Sequence, residues 1–242
     1  MSAKSPACGL NPDAIVKSFF QDPEWMFKTG VGGMLNATSL VLLSMTILLL
    51  PLSVLIWGIV TGYILRAARS EIASEESLPQ WNDWPDLLIS GLTWLAMVTG
   101  QVLVVFSVSS TLILFGLISG MLNATDPRYL AFSLASIYFL AIIFVSIAFT
   151  SYLLMINFAR EERVPAALAV HVVMRKLALR PKDFFTAWLI GVGLQWLSII
   201  LPALTVIGLF FTPSTWFIAQ VLSARLLAKA WKLADELSPL SA

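Results

Sequence analysis

The chain has 242 residues, of which 58% are hydrophobic and only 12% charged, with a net charge of +1. Globular domains carry about 25% charged residues, so this composition excludes a soluble globule, which could not cover its surface. The near-neutral balance excludes the basic footprint of a nucleic-acid partner. One histidine and one cysteine leave too little for a metal cluster.

Residues 1–28 hold Lys4, Lys17 and Lys28 but lack the apolar core of a signal peptide. The first hydrophobic run is therefore expected to act as an uncleaved insertion signal. Asn11, Pro12 and Asp13 can cap a short helix carrying Ile15, Val16, Phe19 and Phe20, an interfacial N-terminus on the cytoplasmic side. The lone Cys8 forms no internal disulfide.

Four runs carry no charged side chain: residues 29–65, 87–125, 129–159 and 184–224. Each exceeds the roughly 20 residues of one membrane-spanning helix. A β-barrel would show short alternating segments instead. The first run has 37 residues and the last 41, which as straight helices would be about 55 and 60 Å long. The hydrocarbon core is only about 30 Å thick. Each run holds breakers near its middle: Pro51 in the first, Pro202 and the Thr212, Pro213, Ser214 triplet in the last. Each is thus either a tight hairpin or one kinked span.

Basic residues decide between these. With hairpins, residues 1–28, 66–86, 160–183 and 225–242 share one side and hold 14 of the 15 Lys and Arg, leaving Arg128 opposite. With single spans the split is 7 to 8. Cytoplasmic loops are enriched in Lys and Arg. The expected architecture is therefore all-α and polytopic, a single membrane domain. It has about six transmembrane helices arranged as three hairpins (29–65, 87–159 and 184–224), short interfacial helices, a short external loop at 123–129 and both termini cytoplasmic. The expected location is the cell inner (plasma) membrane or another energy-transducing membrane. The sequons at Asn36 and Asn123 then fall in a span and a short loop, poor places for a glycan.

Arg66 and Arg69 end the second span as a positive stop whose guanidinium groups reach lipid phosphate. The loop that follows, from Glu71 to Trp84, has four acids and no base. We expect Trp81 and Trp84 to dock it on the chain's own helix ends or on a partner subunit. The basic end of residues 160–183, with Arg175, Lys176 and Arg180, is the other candidate contact for anionic headgroups, for a partner or for the acidic loop. Pro165 is expected to start an apolar helix running to Arg180, with His171 an interfacial residue.

The hairpins also look like a weak repeat. Segments at Asp22, Trp84 and Arg180 open with proline beside acids. Three segments close with Ala-Arg, at Arg69, Arg160 and Arg225.

The order Trp25-x-x-Lys28, then Gly62-Tyr63-Ile64-Leu65-Arg66-x-x-Arg69, then Leu78-Pro79-x-Trp81-x-Asp83, then Gly91-Leu92 resembles a family of bacterial and archaeal multi-pass membrane proteins, domain of unknown function 4013. The stretch from Val164 through Leu189 is similar to that family's second half. The resemblance implies a fold and a membrane address, and no activity.

No carboxylate lies inside an apolar run, and no phosphate loop or serine elbow is present. No catalytic residue, metal or cofactor is expected. The leading expectation is a non-catalytic structural or accessory subunit of a membrane complex. A transporter for an uncharged or lipid-like solute would need a polar groove through Asn36, Gln101 and Gln195. A lipid enzyme would have to use Asp83, Asp86 and Arg66, although Pro85 makes the two acids read as a helix start.

Overall fold

The computed structural model describes residues 9–75, 77–122 and 127–237, with backbone only over much of 112–136. Cys8 and residues 123–126 of the expected external loop lie outside the described residues. Pro127 opens a helix, so the rest of that expected loop is helical.

The described residues are all-helical, as the composition predicts. The helices are α1 (Pro12–Gln21), α2 (Trp25–Met45), α3 (Leu50–Ala73), α4 (Trp84–Leu122), α5 (Pro127–Glu161), α6 (Val164–Leu168), α7 (Val170–Leu179), α8 (Pro181–Ala203) and α9 (Val206–Leu237). Five stretches are long and apolar enough to cross a membrane: Ile47–Ala73, Trp84–Thr111, Ile137–Glu161, Pro181–Ala203 and Val206–Leu237. α2, with 21 residues, is about 32 Å long, the length of a span, but is not among these apolar stretches. Two compact units divide the chain, Met1–Leu95 with Tyr152–Ala242, and Ala96–Ser151.

In the first unit, α9 is the hub, packing on α1, α2, α3, α7 and α8. α2 and α3 form a hairpin whose turn spans residues 46–49, and Pro51 sits in the first turn of α3, where its missing N–H costs nothing. α8 and α9 form the other, turning at Leu204 and Thr205. Pro202 lies in the last turn of α8. Pro213, expected to break its run, instead lies inside α9. Two residues on, Thr215 Oγ1 donates to the Ser198 carbonyl of α8 (2.8 Å), fastening this stretch of α9 to its hairpin partner.

Both turns satisfy their own backbone. Thr46 Oγ1 accepts from the Leu48 amide, and the Leu49 amide reaches the Thr46 carbonyl. Thr205 Oγ1 accepts from the Gly208 amide. Around them Ile47, Leu48, Leu204, Val206, Ile207 and Phe210 are at least 74% exposed. These tips are apolar outside and hydrogen-bonded inside, the arrangement that lipid demands of irregular backbone.

Polar residues within the helices act pairwise. Ser53 Oγ donates to the Ser39 carbonyl across the first hairpin (2.9 Å), Gln195 Nε2 to Tyr152 Oη (2.8 Å), and Ser223 Oγ to the Gly191 carbonyl (3.2 Å). In the second unit Ser151 Oγ donates to Gln101 Oε1 (2.8 Å). α3 and α4 approach closely: a Cβ at Gly62 would overlap the Leu87 carbonyl, and one at Gly91 the Gly58 carbonyl.

Two expected interfacial helices differ from their outline. α1 is capped by Asn11 and turns Ile15 and Phe19 into the protein, not into lipid, while Phe20 stays 45% exposed. The helix expected from Pro165 is two, α6 and α7, broken at Ala169. Asn157 Nδ2 of α5 donates to the Ala166 carbonyl (2.7 Å) and pins α6 in its own orientation.

Candidate functional site

The apolar tips mark one end of the helices, and the ionisable groups mark the other. Three features are built there.

The first is the docked loop. After α3 ends at Ser74, held at φ 67°, the chain returns across the helix ends. Tyr63 Oη donates to the Pro79 carbonyl (2.9 Å). Trp81 stacks on Tyr63 with centroids 4.0 Å apart, faces Phe217 of α9 at 5.9 Å, and donates its Nε1 to the Lys28 carbonyl (3.0 Å). Trp84 stacks on Trp81 at 5.7 Å and remains 42% exposed. Arg66 Nη1 donates to the Asn82 carbonyl and Oδ1, and its Nη2 pairs with Asp86 Oδ2 at 2.9 Å. The Asp83 carbonyl takes the Asp86 and Leu87 amides that start α4. Asp83 and Asp86 are thus helix-start residues, one of them neutralised by Arg66.

Beneath the loop lies a buried ion pair. Asp22 Oδ2 and Lys28 Nζ are 3.0 Å apart, with side chains 1% and 3% exposed. Lys28 also donates to the Leu78 carbonyl (2.8 Å), and Asp22 accepts from the amides of Leu78 (2.7 Å) and Glu24 (2.8 Å). Burial by itself would raise the Asp22 carboxyl. The hydrogen bonds from Lys28, Glu24 and Leu78, with the Lys28 charge, outweigh it and hold the group below its ordinary value.

The third feature is a cyclic clasp. Arg69 of α3 donates its Nε to the Ala159 carbonyl at the end of α5 (3.0 Å) and pairs with Glu162. Arg160 of α5 pairs with Asp235 of α9 at 3.5 Å, where Lys176 of α7 joins it. Arg225 of α9 returns to α3, its Nε and Nη2 lying 2.9 and 2.7 Å from Glu71 Oε2. Each arginine of the Ala-Arg repeat therefore binds the neighbouring repeat, and the three close a ring. The alanines make the approach possible: Ala68, Ala159 and Ala224 are fully buried.

Of the residues singled out from sequence, Arg66, Trp81 and Trp84 come together on the docked loop. Arg69 and Lys176 join the clasp. Arg180 pairs with Asp183 at the start of α8, and Arg175 is exposed on α7. The basic end of α7 therefore does not meet the acidic loop; Lys176 goes to Asp235 and the loop's Glu71 to Arg225. Sequence reasoning missed Asp22, Lys28, Glu71 and Asp235 as structural partners. Asp22 and Lys28 are six residues apart, a spacing with no helical meaning, and the Ala-Arg repeat was the one signal that pointed to Arg225.

No group of three His, Cys, Asp or Glu side chains able to hold a metal is found among the described residues.

Long apolar helices with ionisable groups gathered and paired at one end define a polytopic helical membrane protein. The chain belongs to the family described as Protein of unknown function (DUF4013), whose model matches residues 42–212, more than half of its length. The docked loop lies inside that match; Asp22, Lys28 and Arg225 lie outside it. No curated protein and no solved structure matches the chain.

Proposed function

We propose that the chain is a non-catalytic membrane subunit, a structural or accessory component of a larger membrane complex. The observation that carries this reading is the closed arginine ring with the buried Asp22–Lys28 pair beside it. The charges that hold the helices together are paired with one another, which commits these groups to structure and not to acid–base chemistry. The in-membrane polar groups follow suit. Asn36 donates to the Pro213 carbonyl, while Gln101 and Gln195 are bonded to Ser151 and Tyr152, so each has a local partner in place of a solute path.

In this proposal the clasp end faces the cytoplasm, with both termini, because that side then holds 14 of the 15 Lys and Arg. The membrane is the plasma (inner) membrane or another energy-transducing one. Arg175 and the exposed Val170 and Met174 of α7 lie along its anionic headgroups.

Purification of the tagged chain from native membranes in mild detergent, after cross-linking, tests the reading. A stoichiometric membrane partner is the expected result. A chain isolated alone that moves a solute when reconstituted would refute it.

A further inference from the structure

Helices α6 and α7, with the start of α8, carry positive charge that the clasp does not absorb. Residues 163–182 hold five Lys and Arg and no Asp or Glu. Two of the five are matched, Lys176 by Asp235 and Arg180 by Asp183. Arg163, Arg175 and Lys182 are exposed and form no ion pair among the described residues. Just before this stretch, Glu162 is taken by Arg69, which leaves Glu161 as one unmatched acid against three unmatched cations.

Apolar side chains of the same stretch also face outward. His171, Met174, Arg175 and Ala178 are exposed at helical spacing and so share one face of α7. Val170 and Leu179 are exposed at its flanks, and Val173, the buried residue of α7, lies on the opposite face. In α6, Val164 and Leu168 are exposed one turn apart. Bulk water would leave these apolar groups uncovered, and the hydrocarbon core would strand the cations. The headgroup plane satisfies both, because apolar side chains reach the acyl boundary while long cationic stems reach phosphate.

The charge balance then selects the lipid. A zwitterionic headgroup brings its own ammonium, which the unmatched cations repel. An anionic headgroup brings phosphate without a cation and pairs with them. We propose that residues 163–182 form a binding surface selective for anionic phospholipid, held through Arg163, Arg175 and Lys182. The proposal rests on the reading that α7 lies along the headgroups, and not on the accessory-subunit reading.

The full chain, purified in detergent, is incubated with phosphatidylglycerol and phosphatidylcholine of one acyl composition, and retained lipid is counted by native mass spectrometry. A cation near an anionic lipid surface is worth about fivefold in binding, so phosphatidylglycerol should be held at least about tenfold better. The triple variant Arg163→Gln, Arg175→Gln, Lys182→Gln should lose that preference while keeping the wild-type melting temperature, since all three side chains are exposed. The charge-keeping variant Arg163→Lys, Arg175→Lys should retain it. So should Lys17→Gln, which removes an exposed cation from α1. A spin label at Ala178→Cys, on a Cys8→Ser background in bilayers, reads the depth of α7 separately. A label at headgroup depth with equal retention of the two lipids overturns the selectivity and leaves the headgroup reading standing; a label in bulk water overturns both. An unchanged preference in the triple variant, or its loss in Lys17→Gln, also overturns the proposal.

Discussion

Arg225 and Glu71 are 154 residues apart in sequence and 2.7 Å apart in the fold, with side chains 2% and 9% exposed. The pair fastens the last helix to the third, on which the docked loop depends. Removing one partner strands the other charge in a nearly dry site, which costs about 3–5 kcal/mol, whereas replacing both with apolar residues of similar volume is often neutral. Glu71→Gln should therefore lower stability by about that amount in detergent unfolding. The double variant Glu71→Leu, Arg225→Met should be more stable than Glu71→Gln. A double variant at least as unstable as the single would show that the pair is not a buried clasp.

The loop should depend on Trp81 far more than on Trp84. Trp81 is stacked on Tyr63 and bonded to the Lys28 carbonyl, while Trp84 is half exposed. Stacked aromatic pairs contribute about 0.5–1.5 kcal/mol beyond their buried area. Limited proteolysis of residues 75–83 is the measurement. Trp81→Ala should accelerate cleavage several-fold by this reckoning, and Trp84→Ala should change it little. Equal effects would mean that the two rings are not docked differently.

Acid should loosen the same loop from below. The Asp22 carboxyl is held under its ordinary value of 3.8 in the folded chain. A depressed folded value means stability that is fully present above the unfolded value and lost as pH falls through the folded one. Loop protection should therefore be flat from neutrality down to about pH 4 and decline below 3.8. Asp22→Asn, with Lys28 stranded, should be less stable at neutral pH and should lack the decline. Tryptophan fluorescence against pH reads both, and a wild-type decline that survives in Asp22→Asn would assign it to another group.

The hairpin tips should lie in lipid. Leu48 and Val206 are 84% and 78% exposed, and both turns close their own hydrogen bonds through Thr46 and Thr205. Spin labels at these two positions in bilayers should relax readily with oxygen and poorly with a water-soluble nickel chelate. Ready access of the chelate would place the tips in water and contradict the arrangement.

The membrane class follows from sequence alone, because four charge-free runs cannot be solvated and each is long enough to cross the bilayer. The hairpin turns in the first and last runs are also legible, since 37 and 41 residues exceed one span and a proline stands near each turn. Pro213 shows the limit of that logic: it lies inside α9 without ending it, because neighbouring helices hold a membrane helix through a proline, as α8 holds this one at Thr215. The Ala-Arg endings were visible as a pattern, but their meaning was not. A snorkelling arginine and a clasping arginine have the same sequence signature, and only the approach of α3, α5 and α9 decides which partner each finds. Burial of Lys28 is likewise invisible in one dimension. It depends on a carboxylate six residues away and on a carbonyl fifty residues away, and the low-dielectric space that makes both bonds matter exists only once the loop has closed over them.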